Sequence, residues 1–176
     1  AFGDLWDKDL ADILEEAGIN ALKSAGLSAK DIDAVYIANA FSSKINGHAP
    51  ICSLCFERLG IGSSTCISSG DASGAVAIKE AAKLIMSGSA KYAMVIGAEK
   101  STDLKTNEML AVAQDTIDDK EESFIGATVQ SQFAIITRKY MSDFKISRDD
   151  LSYITVNSQK NGIANETAQF RSEMDI

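Results

Sequence analysis

Along the first 103 residues, brief apolar runs alternate with stretches of helical pattern. The runs are Val35, Tyr36, Ile37 and Ala38, then "STCIS" at 64–68, then Tyr92 to Ile96 within "KYAMVIGAEKSTD". Continuous apolar runs this short suit strands covered on both sides, as in a parallel sheet. Between them lie helices. Residues 9–25 place Leu10, Ile13, Leu14, Ala17 and Ala21 at helical spacing, and Gly26 stops them. Residues 51–59 read as a short helix closed at Gly60, and "FSSKINGHAP" (41–50) reads as loop. The helix after Asp71 aligns Ala75, Ile78, Ala82 and Ile85 on one side and ends at Ser87-Gly88. Helix and strand in alternation predict an α/β fold with a mostly parallel sheet and helices on both faces.

Beyond Asp103 the texture changes. "TIDDKEES" reads as an acidic surface loop, and Val129, Phe133, Ile136 and Tyr140 mark another helix. "LSYITVN" (151–157) reads as a strand and "SQKNGIANETAQF" as polar loop. The expected division is a core at 1–103 and a second part at 104–176.

Charge excludes one large class of function. The chain of 176 residues carries a formal −8 and no Lys/Arg cluster, which argues against binding a phosphate backbone. No apolar run approaches the ~20 residues of a membrane helix, so neither nucleic acid nor membrane is an expected partner. Three cysteines without disulfide-scaffold density predict a reducing, cytoplasmic setting.

The turn "ISSGDASGAVAIKEAAKLI" (67–85) runs from a strand end through glycine into a helix. Such a turn often presents a nucleophile at the helix mouth, and here it presents Asp71. The stretch is no P-loop, because no Gly-Lys-Ser/Thr follows. Gly70 and Gly74 fit turn geometry and close packing.

Three blocks, "AGLSAKDIDAVYIAN", "SGDASGAVAIKEAAKLIMSGSAKYAMVIGAEKSTD" and "GATVQSQFAIITRKYMSDF…VNSQKNG…AQFRSE", in that order, resemble the thiolase superfamily. The resemblance is greatest to its archaeal acetyl-CoA acetyltransferase and sterol-carrier-protein-type branches, and it covers nearly the whole chain. It implies a fold of two similar halves, each a five-stranded sheet with helices on both faces, and a loop domain inserted in the first. This chain resembles the first half, incomplete, with part of the loop domain. The implied reaction is Claisen condensation or thiolysis of acyl-CoA, with the coenzyme A thioester as substrate and no further cofactor or metal. The resemblance also implies a homodimer or tetramer, paired through the strand at 64–68.

In the family, this turn reads Cys-x-Ser-Gly, and the cysteine accepts the acyl group as a thioester. Laid on it without gaps, "GDASGAVA" puts Asp71 in the cysteine's place and retains Ser73 and Gly74 as turn and oxyanion support. Cys66, five residues earlier, does not substitute. A carboxylate is a poor nucleophile, and its attack on a thioester gives a mixed anhydride more reactive than the thioester consumed. Asp71 therefore reads either as a helix cap or as a relic site with a new use, a general base or an anion that excludes acyl groups. Covalent transfer is impaired or replaced. The alternatives are a non-catalytic CoA-binding or scaffold subunit and a cysteine-independent retro-aldolase of the same superfamily.

The family's remaining catalytic groups belong to its second half. Its opening strand, placed between the strands at 35–38 and 92–96, and its fifth strand have no counterpart here. On that strand order the strand at 92–96 is left without a neighbour. The missing strands are then expected from the rest of a longer chain or from a partner. His48, Cys52, Cys55 and Cys66 offer four zinc donors, set against cysteines as core filler. Glu99 and Lys100 read as pocket lining or as an ordinary ion pair. Gln159 carries no assigned role.

Overall fold

A computed structural model describes residues 2–47 and 51–175. The chain forms two compact units, Trp6–Val112 and Ala113–Ile176 with Ala1–Leu5.

The first unit opens with α1 (Leu10–Ala25). Asp9 and Asp12 close a reciprocal capping box, each carboxylate accepting the other's backbone N–H. Gly26, at φ 67°, ends the helix in the left-handed region, and Leu27 N–H returns to the Leu22 carbonyl at 3.0 Å. The strands follow as β1 (Ala34–Ala38), β2 (Ser64–Ile67) and β3 (Ala93–Gly97). Between them lie α2 (Ser42–Ile45), α3 (Ile51–Leu59) and α4 (Ser73–Met86). α5 (Thr106–Ala113) comes after β3.

All strand pairs are parallel, in the order β2-β1-β3. Stepping from β1 to β2 and then back across β1 to β3 reverses direction. Right-handed crossovers therefore put α3 and α4 on opposite faces. Val35 and Ile37, both fully buried, face a core shared with Leu10 and Leu14 of α1, Ile51 and Cys55 of α3, and Met94 and Ile96 of β3. Side chains alternate along a strand, so Tyr36 and Ala38 face the α4 side.

Three expectations are corrected here. The third strand is not left alone: β3 pairs with β1 from Ala34↔Ala93 to Ala38↔Gly97. A strand has two hydrogen-bonding edges, and β3 fills the edge of β1 that β2 leaves open, so the β3 groups on that side are paired. On α4, the buried side chains are Ser73, Ala77 and Ala81, whereas Ile78 is 63% exposed and Ile85 is also exposed. Small residues on the inner face let the helix lie close to the sheet, which turns the larger apolar side chains outward. The segment expected as loop at 41–50 also includes one helical turn, α2.

At the start of the sheet, Asp33 ties β1 to β3. Its Oδ2 accepts the N–H groups of Lys91 at 2.7 Å and Tyr92 at 3.0 Å. The Tyr92 and Lys91 N–H groups hold its pKa below the usual carboxylate value. A depressed folded pKa gives a contribution present above the unfolded value, about 3.9, and lost as pH falls through the folded one. Asp33→Asn keeps an acceptor and removes the charge. It is expected to flatten the acid limb of a Tm-against-pH curve below about pH 5; an acid limb identical to the wild type counts against this role.

In the second unit, α6 (Val129–Phe144) occupies the segment predicted from Val129, Phe133, Ile136 and Tyr140. Thr128 and Ser131 cap it reciprocally. The strand expected at 151–157 is instead part of α7 (Arg148–Ile163), which also takes in the first residues of the expected loop at 158–170. Ser147 and Asp150 form its capping box, at 2.8 Å and 3.1 Å between backbone and side chain. A capped helix satisfies its own backbone, whereas a strand here needs a neighbour to pair with. Among the described residues no helix is long and apolar enough to cross a membrane.

Candidate functional site

The carboxyl ends of β1, β2 and β3 come together at one edge of the sheet. In open parallel sheets this is the edge that carries ligands. β1 runs into Asn39, β2 into the turn at 68–72, and β3 into Ala98, Glu99 and Lys100.

The turn is built around Ser73. Its buried Oγ accepts the Ser69 N–H at 2.8 Å and donates to the Gly70 carbonyl at 2.7 Å, with the Asn39 carbonyl 3.3 Å away. Gly70 takes φ 54°, the left-handed conformation that lets β2 reverse into α4. Ala72 and Ser73 N–H groups bond to the Ser69 and Gly70 carbonyls, both at 3.1 Å.

Asp71 sits at the outside of this turn, exposed. It does not cap the helix. The cap position is Ala72, which makes no side-chain cap hydrogen bond. The cap reading of Asp71 is thereby corrected: with Ser73 bonding inside the turn, the Asp71 carboxylate projects outward. It remains beside the positive end of α4, where the helix dipole favours negative charge. Gly74, in the first turn, has open space where a Cβ would lie, so close packing does not explain it.

Asn39 organises the edge, a role the sequence reading missed. Its backbone N–H bonds to the Ile67 carbonyl at 3.1 Å. Its side-chain amide donates to the Ala98 carbonyl, and its Oδ1 accepts the Ser42 N–H at 2.7 Å. One residue thus touches the ends of β2 and β3 and the starts of α2 and α4. The available signal is a single amide placed directly after an apolar run, where a ligand-bearing edge begins.

Glu99 and Lys100 do not pair with each other. Glu99 Oε2 accepts the N–H groups of Ala40 at 2.8 Å and Phe41 at 3.2 Å, fixing the chain as it leaves β1. Lys100, 3% exposed, directs Nζ to Asp103 Oδ1 at 2.7 Å and Thr102 Oγ1 at 2.8 Å. It also lies over the Trp6 ring, 5.7 Å from its centre. Asn46 donates to the other Asp103 oxygen at 2.9 Å.

The zinc set does not assemble. Cys52 and Cys66 are joined in a disulfide, so neither offers a thiolate. Cys55 is fully buried, and burial raises the pKa of its thiol. Cys55, in the core, and Cys52, half-buried and packed against it, fit the core-filler expectation. Cys66, expected inside a buried strand, is exposed because β2 is the sheet's edge. His48 lies outside the described residues. Gln159 is on α7, its Oε1 buried and without a hydrogen-bond partner among the described residues.

This strand–turn–helix, with serine two residues after the turn's apex, lies within a match to the family model "Thiolase, N-terminal domain" over residues 1–175. The chain belongs to the thiolase family. It is similar to the acetyl-CoA acetyltransferase of Methanocaldococcus jannaschii, at 32% identity over 171 residues. That match covers 96% of this chain and 43% of the relative. It is also similar to the acetyl-CoA acetyltransferase of Methanothermobacter thermautotrophicus, at 30% identity over 178 residues, covering 99% of this chain and 46% of the relative. The chain therefore spans less than half the length of these curated thiolase-family relatives.

Proposed function

We propose that this thiolase-family chain binds a coenzyme A thioester at the carboxyl edge of its sheet, without taking the acyl group covalently. The observation that carries this reading is Asp71: an exposed carboxylate at the mouth of α4, in a turn whose geometry Ser73 and Gly70 maintain. The acetyl-CoA acetyltransferase activity of the relatives supplies the ligand class.

A carboxylate at this point does not store an acyl group, since the anhydride it forms is less stable than the thioester it consumes. It accepts a proton or repels an anion instead. Ser73 keeps the turn closed, and Gly74 leaves room above the first turn of α4 for a ligand to approach the backbone. The reading extends to a homodimer paired through the outer edge of β2, whose backbone groups face no neighbouring strand among the described residues, and to a cytoplasmic location.

Calorimetric titration of the full-length protein with acetyl-CoA and with free CoA tests the proposal. Saturable binding of the thioester, with no thiolysis of acetoacetyl-CoA, is expected. Absence of binding favours the scaffold alternative, and thiolysis at an ordinary thiolase rate contradicts the assignment of Asp71.

A further inference from the structure

The sequence assigns no partner to its cysteines, yet the fold sorts them into two kinds. Cys55 is sealed in the core between α1 and the sheet. Cys52, in the first turn of α3, and Cys66, on β2, are bridged, and their Cα atoms are 5.7 Å apart. That separation falls in the range of about 4.4 to 6.8 Å found across disulfides. Cys66 is exposed and Cys52 half-buried, so the pair is within reach of a small oxidant or reductant.

Position gives the bridge a consequence. β2 is an edge strand held on one side by β1. Its face toward α3 is fastened to that helix by this link and by the Ser64 hydroxyl, which donates to the Cys52 carbonyl at 3.3 Å. The turn that presents Asp71 begins where β2 ends, two residues past Cys66. We infer that Cys52 and Cys66 are a reversible thiol–disulfide pair whose closure fastens β2 to α3 and thereby steadies the Asp71 turn.

The exchange balances with a low-molecular-weight disulfide such as glutathione disulfide as oxidant. The Cys66 thiolate attacks it, forming a mixed disulfide and releasing one glutathione thiolate. The Cys52 thiolate then displaces the second, so two protein thiols lose two protons and two electrons and one disulfide becomes two thiols. Cys55 takes no part, because its burial blocks access and disfavours its thiolate.

Peptide mapping and hydrogen exchange on the full-length protein test this. After glutathione disulfide, a Cys52–Cys66 linked peptide is expected, with Cys55 alkylated only on unfolding. Reduction by dithiothreitol under native conditions is expected to speed amide exchange across residues 64–72 by on the order of tenfold, and reoxidation to restore it. Cys66→Ser and Cys52→Ser are each expected to show the fast rate under both conditions, whereas Cys55→Ser keeps the response. Separate alkylation of Cys52 and Cys66 after oxidant, or a link that leaves exchange at 64–72 unchanged, overturns the inference. Neither readout involves a CoA thioester, so failure here is distinct from failure of the acyl-CoA proposal.

Discussion

Asp71→Cys is expected to convert the full-length protein into one that takes an acetyl group from acetyl-CoA onto residue 71. Residue 71 lies just before the N-terminus of α4, beyond a turn fixed by Ser73 and Gly70 rather than by its own side chain. A cysteine introduced there disturbs no bond of the turn. The same helix end that tolerates a carboxylate favours a thiolate, and free thiols with pKa about 8.5 fall to about 3.5–7.5 in such places. A substantial share of the residue-71 thiol is then ionised at neutral pH, and a thioester is a stable resting state where an anhydride is not. Radiolabelled acetyl transfer to the variant, with none to Asp71→Asn, is the expected pattern. An unreactive cysteine at 71 shows instead that the turn no longer serves acyl chemistry.

The largest loss of stability is expected at Asn39. Asn39→Ala keeps the backbone bonds to Ile67 and Ser73 and deletes the two made by the side chain, to the Ala98 carbonyl and the Ser42 N–H. Ala98 and Ser42 are both buried, so water does not readily replace the lost partner. Each buried group left unmatched costs about 1–3 kcal/mol. A total of about 2–6 kcal/mol is expected, read as a Tm lowered by on the order of 10 °C. Asn39→Asp separates hydrogen bonding from packing. It keeps the volume and the Ser42 acceptor but sets a carboxylate against the Ala98 carbonyl. It is expected to be no more stable than the alanine variant; wild-type stability in Asn39→Asp contradicts this role.

What local pattern governs, the residues announce by themselves. The apolar runs at 35–38 and 92–96 and the spacing of Val129, Phe133, Ile136 and Tyr140 each depend on near neighbours. The same holds for Gly26, whose left-handed φ follows from its place after a helix. Errors arise where a distant partner decides. Tyr153, Ile154 and Val156 have strand-like side chains, but the capping box of Ser147 and Asp150 starts a helix, and among the described residues no strand pairs with this segment. On α4 the apolar pattern of Ile78 and Ile85 marks a face that the three-stranded sheet does not cover, since contact with the sheet selects Ala77 and Ala81. The Cys52–Cys66 bridge joins residues 14 apart on different elements, and only the fold of α3 against β2 brings them together. Asn39 is only faintly marked in sequence, because the strand ends it joins, at Ile67 and Ala98, lie far along the chain.

Residue 71 of the wild-type protein is expected to hold no acyl group. The intact mass of the full-length wild-type protein after acetyl-CoA, quenched in acid, measures this directly. An unchanged mass is predicted; gain of one acetyl group, mapped anywhere on the 67–74 turn, contradicts the account.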